Sequence, residues 1–188
     1  MIDLKKLVDS ILAGNKAAFR DLINQTQRLV SHIVYRMIKR ESDQEDICQE
    51  VFIKVYQNLG NFRFDCKLST WIARIAYTTC LNFLEKKKLP FYEDLGDENK
   101  SFEPADGETK RPDYQFAQKD ISAILRQEID NIPPVYRTIV TLYHIDEMSY
   151  AEIADIMKMP EGTVKSYLFR ARRMLKDRLL AKYNREEL

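Results

Sequence analysis

The sequence predicts an all-α fold in which two small helical bundles are joined by a flexible, acidic linker and the C-terminal bundle is a helix-turn-helix. Apolar residues recur at three- and four-residue spacings along most of the 188 residues, as in amphipathic helices. We find no alternating strand pattern of useful length and no internal repeat. Residues 90–113 interrupt the helical spacing with three of the six prolines and two of the five glycines. We therefore expect domains over residues 1–89 and 114–188.

The first two helices are separated by a glycine break. An apolar stripe from Leu4 to Leu12 ends at Gly14, a residue type that favours a helix C-terminus. The second helix begins after Asn15, and its apolar stripe continues to Met37 over about six or seven turns.

The third and fourth helices complete the first bundle. Ser42 and Glu45 have the spacing of a capping box and predict the start of the third helix, which Gly60 ends. A short loop follows, and Ser69 is expected to cap the fourth helix. That helix must end before Pro90, because proline disfavours helical backbone in the residue that precedes it.

Sequence signals also mark where the helices of the second bundle begin and end. Helical spacing resumes near Phe116, and the consecutive prolines at 133 and 134 open the next helix. Ser149 and Glu152 predict another capping box. A break over residues 158–160 precedes a last helix that begins near Glu161. Lys158 stands where such breaks commonly have glycine, and the cost of left-handed backbone at lysine, about 1 kcal/mol, leaves the shape of this turn open.

Composition excludes several classes of protein. No apolar run approaches the roughly 20 residues of a membrane span, and the N-terminus lacks the pattern of a signal peptide, so we expect a cytoplasmic protein without direct membrane insertion. Cys48, Cys66 and Cys80 share no CxxC spacing and are expected to be reduced thiols, not a metal or disulfide framework. Nucleotide-binding and zinc-protease motifs are absent from the sequence. We expect no metal, no cofactor and no small-molecule substrate.

Charge is distributed unevenly along the chain. Residues 1–90 carry 15 basic and 10 acidic residues (+5), residues 91–120 carry 4 and 9 (−5), and residues 121–188 carry 11 and 10 (+1). Residues 162–185 contain eight basic residues and one acid, Asp177. This stretch indicates either a surface for a polyanion or a very basic solvated helix.

The segment over residues 149–175 has the arrangement of a helix-turn-helix: a capped short helix, a break and a longer helix. Val164 and Leu168 are expected to pack against Ile153 and Met157. The alternative is a helical hairpin with a solvated basic face. The combination of capping, break and basic face favours DNA binding. The residues expected on the outward face are Glu161, Thr163, Lys165, Ser166, Phe169, Arg170, Arg172 and Arg173.

Three stretches together carry a resemblance to a known family. They are DQEDICQEVFIKVY (43–56), KLSTWIARIAYTTCLNFLEKKK (67–88) and IPPVYRTIVTLYHIDEMSYAEIADIMKMPEGTVKSYLFRARRMLKDRL (132–179). In this order and spacing the chain resembles bacterial RNA polymerase sigma factors of the extracytoplasmic-function group, which keep only the second and fourth conserved sigma regions.

The resemblance implies a site for RNA polymerase core on the helix that includes residues 43–56. This helix would dock on a coiled coil of the largest subunit. A charged, solvated helix face is the alternative for its acids, and an acid–base role has no histidine, metal-ligand set or nucleophile to support it. The core-binding residues implied are Asp46, Gln49, Glu50, Phe52 and Ile53.

The resemblance also implies two DNA sites. Residues 61–88 would engage the promoter −10 element as an unpaired strand, where aromatic faces can stack on bases and lysines can hold the backbone. Those residues are Phe62, Phe64, Lys67, Ser69, Thr70, Arg74, Tyr77, Thr78, Asn82, Lys86, Lys87 and Lys88. Trp71 is expected in the core, and Phe62 suits either role. The last helix would read the −35 element in the major groove through Glu161, Thr163, Lys165, Ser166, Phe169, Arg170 and Arg173.

The partners implied are RNA polymerase core, through its largest-subunit coiled coil and its flap, promoter DNA, and an anti-sigma factor. We expect a monomer that performs no catalysis. The rival interpretation is a stand-alone helix-turn-helix regulator, which predicts a dimer and a palindromic site. His32 and His144 have no partner that the sequence identifies.

Overall fold

The computed structural model describes residues 4–87 and 121–182, and within these ranges every regular element is helical. The predicted linker (90–113), Phe116 and Lys88 lie outside the described residues. The elements are α1 (Leu4–Leu12), α2 (Lys16–Met37), α3 (Glu41–Asn58), a 3-10 turn (Leu59–Asn61), α4 (Leu68–Lys86), α5 (Ile121–Asp130), α6 (Pro134–His144), α7 (Tyr150–Met157) and α8 (Glu161–Lys182). The predicted all-α fold is confirmed.

Local signals explain where α1 and α2 meet. Gly14 adopts the left-handed region with φ 91°, which lets the chain turn directly after α1. The side chain of Asn15 then accepts hydrogen bonds from the backbone N–H groups of Ala17 and Ala18 at 3.0 and 3.1 Å. These bonds satisfy donors that the first turn of α2 would otherwise leave without a partner.

The predicted cap of α3 is wrong. The helix begins at Glu41, so Ser42 already lies inside its first turn, and Arg40 is the N-cap without a side-chain hydrogen bond. Glu41 and Asp43 place negative charge at the positive end of the helix dipole instead. The Nε2 atom of Gln44 also donates to the carbonyl of Ile38 at 2.8 Å, which fixes the chain before the helix.

The predicted cap of α4 is wrong as well. The helix begins at Leu68, with Lys67 as an extended N-cap residue, so Ser69 is the second helical residue. Leu68 is buried in the core. Burial of this side chain favours a helix start two residues earlier than the serine pattern indicates, because tertiary packing contributes more than a cap. The helix ends at Lys86, before Pro90 as expected.

The two halves of the chain pack against each other. Within the first half, α2 packs on α3 and α4, and within the second half α8 packs on α6 and α7. In addition, α2 contacts α6 and α4 contacts α7. The buried apolar residues therefore form one cluster, which includes Val30 and Ala76 from the first half and Ile139 and Ile153 from the second. Among the described helices, none is both long and apolar enough to cross a bilayer.

Candidate nucleic-acid interface

The helix-turn-helix is built from α7, a tight turn and α8. The side chain of Ser149 accepts from the N–H of Glu152 at 3.3 Å, and the carboxylate of Glu152 accepts from the N–H of Ser149 at 2.9 Å, so the predicted capping box is confirmed. The hydrogen bond from the Ser149 backbone is the largest cause that lowers the pKa of Glu152 to about 2. The carboxylate stays ionised and fixes the first turn of α7.

The turn has the left-handed residue at Lys158, with φ 53° and ψ 46°. The backbone N–H groups of Lys158 and Met159 both donate to the carbonyl of Ala154, which closes the C-terminus of α7. The glycine-like turn geometry therefore forms at a lysine. Val164 and Leu168 on α8 and Ile153 and Met157 on α7 are all buried, as the sequence predicts for the crossing of the two helices.

The outward face of α8 holds the residues predicted for the −35 element. Lys165 pairs with Glu161 at 2.8 Å, and the hydroxyl of Ser166 donates to the carbonyl of Gly162 at 3.0 Å. The hydrogen bond that Lys165 donates to Glu161 raises the pKa of Lys165, so this lysine remains cationic. Phe169 is 69% exposed, the most exposed large apolar side chain among the described residues. Arg170 and Arg173 are also exposed, and Thr163 is half-buried.

A row of aromatic rings and cations lies beside this face, and no sequence pattern predicts it. Tyr143 on α6 and Tyr150 on α7 stack with ring centroids 4.9 Å apart. The ammonium of Lys165 lies 5.3 Å from the Tyr150 ring, and the guanidinium of Arg172 lies 5.4 Å from the Tyr143 ring. These cation–π contacts position two α8 cations from the side of α6 and α7. Only the spacing of three helices brings the four side chains together.

His144, for which the sequence identifies no partner, contacts Arg172 in the structure. The Nε atom of Arg172 lies 3.2 Å from His144 Nε2. Burial, and then the positive charge of Arg172, lower the pKa of His144, which keeps the imidazole neutral and able to accept this hydrogen bond.

Two cations of the basic stretch at 162–185 pair with a buried acid. Arg178 and Lys182 both pair with the buried carboxylate of Glu128 on α5, at 2.9 and 2.7 Å. These two cations hold α5 against α8, and Lys182 remains 42% exposed. The sequence pattern could not distinguish them, because charge spacing alone does not show which acid lies across the helix.

The residues predicted to bind RNA polymerase core share one exposed face of α3. Asp46, Gln49, Glu50 and Ile53 are exposed, and Phe52 is partly buried against the core. Ile53 is 56% exposed, and Tyr56, one turn further along, is 51% exposed. Glu50 pairs with Lys54 at 2.6 Å, and this i,i+4 pair is solvent-accessible. Two exposed apolar side chains beside two carboxylates are typical of a protein-binding face.

The loop before α4 arranges three aromatic rings in a row. Phe64, with φ 62°, lies 4.7 Å from the ring of Phe62, and Phe62 lies 5.5 Å from Trp71. Phe62 is buried, whereas Phe64 is 44% exposed. Trp71 is partly buried and packs on the core, in agreement with its predicted role. Phe64 is therefore the most exposed ring of the three.

Three residues predicted to contact −10 DNA are buried in this structure. Phe62, Thr70 and Tyr77 are 6%, 1% and 1% exposed. Phe62 and Tyr77 belong to the apolar core, because burial of their rings removes apolar surface from water and stabilises the fold. Thr70 lies on α4 between Lys67 and Arg74.

The remaining predicted −10 residues reach the surface, several with protein partners. Lys67 pairs with Glu152 at 2.9 Å, and Arg74 pairs with Asp155, so both cations contact α7. Lys87 pairs with Asp43 at 3.0 Å and lies over the ring of Phe83. The other side chains in this group are exposed or half-buried: Ser69, Thr78, Asn82 and Lys86.

The described residues show no cluster of acids, histidines and cysteines that could hold a metal ion. Cys48, Cys66 and Cys80 are free thiols in the structure. Burial raises the pKa of each of them, most strongly that of Cys80. A raised pKa keeps these sulfurs protonated and unreactive.

Comparison with known protein families identifies two conserved regions. The family described as Sigma-70 region 2 matches residues 22–89, and the family described as Sigma-70, region 4 matches residues 122–175. The chain is 34% identical over 182 residues to the ECF RNA polymerase sigma factor SigW of Bacillus subtilis, covering 94% of this chain and 96% of that protein. It is 33% identical over 177 residues to the ECF RNA polymerase sigma-E factor of Escherichia coli K12, covering 92% of each.

Solved structures share the fold. CnrH, solved in complex with the cytosolic domain of CnrY, superposes with a TM-score of 0.65 at 19% identity, over 94% of this chain and 97% of that one. The sigma factor RpoE of Bartonella quintana, solved with the anti-sigma factor NepR, gives 0.63 at 18% identity, over 88% and 98%.

Proposed function

The chain belongs to the extracytoplasmic-function (ECF) sigma factors of the sigma-70 family. From this premise we propose which of its surfaces bind polymerase core and which bind promoter DNA. It is a sigma factor, which binds RNA polymerase core and directs promoter-specific transcription initiation through the −10 and −35 elements. The stand-alone regulator is not supported, because both sigma regions are matched in one chain.

The face of α3 is proposed to bind the coiled coil of the largest polymerase subunit. Asp46, Gln49 and Glu50 offer carboxylate and amide groups to basic partner residues, and Ile53 offers apolar area beside them. Phe52 is partly buried against the core, so it would hold α3 in place behind this face. The C-terminal bundle is proposed to contact the polymerase flap.

The loop before α4 and the exposed side of α4 are proposed to hold the unpaired −10 strand. Phe64 would stack on a base, small polar groups would read base edges, and the cations would hold phosphates. We call this set the −10 surface, and its members are Phe64, Lys67, Ser69, Arg74, Thr78, Asn82, Lys86 and Lys87. The predicted contact Lys88 extends the same run of lysines beyond the described residues.

The first turns of α8 are proposed to enter the major groove of the −35 element. Glu161, Thr163 and Ser166 lie at the N-terminal end of the helix, where polar groups meet base edges in helix-turn-helix proteins. Lys165, Arg170 and Arg173 supply phosphate or guanine contacts, and Phe169 supplies an apolar contact that suits a thymine methyl group.

The polymerase core is proposed to hold the two domains, residues 1–89 and 114–188, apart on the promoter, and the linker at 90–113 would cross between them. The chain performs no chemistry of its own and works as a monomer in the cytoplasm, where the polymerase and the chromosome are. We also propose control by an anti-sigma protein. The relation to RpoE of Bartonella quintana, solved with such a partner, supports this proposal.

One observation carries the DNA-binding part of this proposal. On α8 the buried residues Val164, Leu168 and Ala171 fix the helix orientation, so the predicted −35 residues are exposed, apart from the half-buried Thr163. Rotation of the helix about its axis would expose this apolar stripe. Core packing therefore determines which side of α8 faces solvent.

Run-off transcription from genomic promoter fragments tests the proposal. Purified bacterial core polymerase should give specific transcripts when this chain is added and none without it. Ile53→Arg should abolish core binding in a pull-down, while Tyr35→Arg, which changes an equally exposed apolar residue on α2, should leave it intact. Absence of both transcripts and core binding would overturn the proposed function.

A further inference from the structure

A polar cavity of about 570 Å³ lies beside the C-terminal part of α2. Its wall comes from α2, the chain between α2 and α3, the end of α5 and the first turn of α6. None of the residues that line it belongs to α4 or α8, which carry the DNA surfaces proposed above. A volume of this size is typical of small-molecule sites. The ionisable and aromatic side chains of the wall are His32, Tyr35, Arg36, Lys39, Asp130 and Arg137.

Arg137 is the buried cation of this wall, with 5% of its surface exposed. Its Nη1 atom donates to the backbone carbonyl of Asp130 at 2.9 Å, and its Nε atom donates to the backbone carbonyl of Arg36. The carboxylate of Asp130 pairs with Arg36 instead. Burial lowers the pKa of Arg137, yet a guanidinium keeps its proton in proteins and has five N–H donors. A buried positive charge of this kind is unfavourable unless an anion lies close to it.

Two further cations line the same cavity. The Nε atom of Arg36 donates to the hydroxyl of Thr141 at 3.1 Å, which fixes this guanidinium against α6. Lys39 lies two residues after the end of α2 and is exposed. The side chain of Asp130 is 57% exposed, so solvent is open to it when another anion takes its place beside Arg36. Three strong cations and one carboxylate give the wall a net charge of +2, which favours an anionic ligand.

The helix α2 adds two rings to the wall. The Nδ1 atom of His32 lies 2.7 Å from the carboxylate of Asp146, and because an ionised carboxylate only accepts, Nδ1 donates this hydrogen bond. The Nε2 atom of His32 is then the ring atom that remains for a ligand. Tyr35 is 50% exposed and offers a flat aromatic face. Such a face stacks on planar rings, among them the bases of nucleotides.

We propose that this cavity is a binding site for a nucleotide, a ligand in addition to the polymerase and promoter DNA of the proposed function. The phosphate binds Arg137, Arg36 and Lys39, because guanidinium and ammonium groups are the side chains that hold phosphate oxygens. The base stacks on Tyr35. The cavity is larger than a phosphate ion needs, so it has room for the nucleoside as well. Duplex DNA does not fit into a cavity of this volume.

Isothermal titration calorimetry of the full-length chain, without polymerase or DNA, tests the proposal. The probes are AMP, GMP, adenosine and inorganic phosphate. At least one of the two nucleotides should bind with a Kd below about 1 mM. Inorganic phosphate should bind about tenfold more weakly, because it lacks the stacking ring, and adenosine should give no measurable heat of binding. Failure of both nucleotides to bind, or equal binding of adenosine, would overturn the proposal. Neither result depends on sigma activity, which run-off transcription measures separately.

Two variants of exposed residues place the nucleotide in the cavity. Lys39→Gln removes a phosphate contact and Tyr35→Ala removes the stacking face, and each should weaken nucleotide binding about tenfold. Both side chains are exposed, so the helices should stay folded, which circular dichroism checks. Arg137→Gln should abolish binding, but its buried hydrogen bonds also support the fold, so the two exposed variants decide the outcome. Unchanged affinity in both of them would overturn the proposal.

Matched controls remove the same charge outside the cavity. Arg40→Gln changes the residue next to Lys39, whose side chain is 75% exposed and does not line the cavity, and it should keep the wild-type affinity. Lys165→Gln removes a cation from the proposed −35 face of α8 and should keep it as well. An equal loss in Arg40→Gln would show that general charge attraction explains the binding. An equal loss in Lys165→Gln would place the nucleotide on α8, and either result would overturn the proposal.

Discussion

The carboxylate of Glu128 on α5 has no solvent exposure and lies 2.9 Å from the Nε atom of Arg178 on α8. Its second oxygen lies 2.7 Å from the ammonium of Lys182. A buried carboxylate is tolerable only with such partners, because burial of an unpaired charge is strongly unfavourable. The pair ties the last turns of α8 to α5.

Replacing Glu128 by alanine should lower the free energy of unfolding by about 2–3 kcal/mol. The value lies somewhat below that for a fully buried pair, because Arg178 and Lys182 are partly exposed and can regain water. Urea unfolding followed by circular dichroism measures it. Asp177→Asn, an exposed acid 3.9 Å from Arg173, should change stability by less than about 1 kcal/mol. Equal effects of the two variants would show that Glu128 is not a structural tie.

Lys158→Gly should stabilise the helix-turn-helix. Lysine pays for its left-handed backbone at φ 53°, and glycine does not, although glycine gains more freedom in the unfolded chain. The net gain expected is about 0.5 kcal/mol, seen as a rise in the thermal unfolding midpoint. Lys158→Ala keeps a β-carbon and should give no rise. A gain for alanine as large as that for glycine would mean that loss of the side-chain charge, and not the backbone, sets the effect.

Acid should weaken the capping of α7 in a predictable pH range. The pKa of Glu152 in the folded chain is about 2, below the ordinary 4.5 of an unfolded glutamate, so its ionised form stabilises the fold above pH 4.5. That contribution is lost as pH falls from 4.5 toward 2. Between pH 5.5 and 2.5 the wild type should lose about 1 kcal/mol more free energy of unfolding than Glu152→Gln, a typical capping contribution.

Denaturant unfolding at the two pH values measures this difference, with Glu85→Gln as the control. Glu85 is an exposed glutamate on α4, so its variant should show the same pH dependence as the wild type. If Glu152→Gln also follows the wild type, the carboxylate of Glu152 does not contribute to folding through its charge.

The helices followed from local signals in the sequence, whereas their mutual contacts did not. Asn15, Pro134 and the Ser149–Glu152 pair each act within one turn, and the structure confirms them. Ser42 and Ser69 carried the same kind of signal, but burial of Leu68 and the acids of the first turn of α3 set those helix starts instead. Local pattern is therefore reliable only where no packing interaction competes with it.

The sequence predicts which residue types form the site, but it does not predict which of these side chains are exposed to solvent. Tyr77 and Phe62 have the chemistry for stacking on bases, and the structure buries both. The Tyr143–Tyr150 stack and the pairing of α7 acids with α4 cations depend on helices distant in sequence. Periodicity assigns a side chain to a face of its own helix. It does not indicate which other helix covers that face.

Phe169→Ala should reduce transcription without reducing stability. The ring is 69% exposed, so its loss should change the free energy of unfolding by less than about 0.5 kcal/mol. A lost apolar contact with a base costs about 1 kcal/mol, so run-off transcription at limiting sigma concentration should fall about fivefold. Leu180→Ala, which removes another exposed apolar side chain from the distal part of α8, should leave transcription unchanged. Equal transcription from the two variants would show that Phe169 stays outside the groove, and the −35 contacts would then have to come from the polar residues of α8 alone.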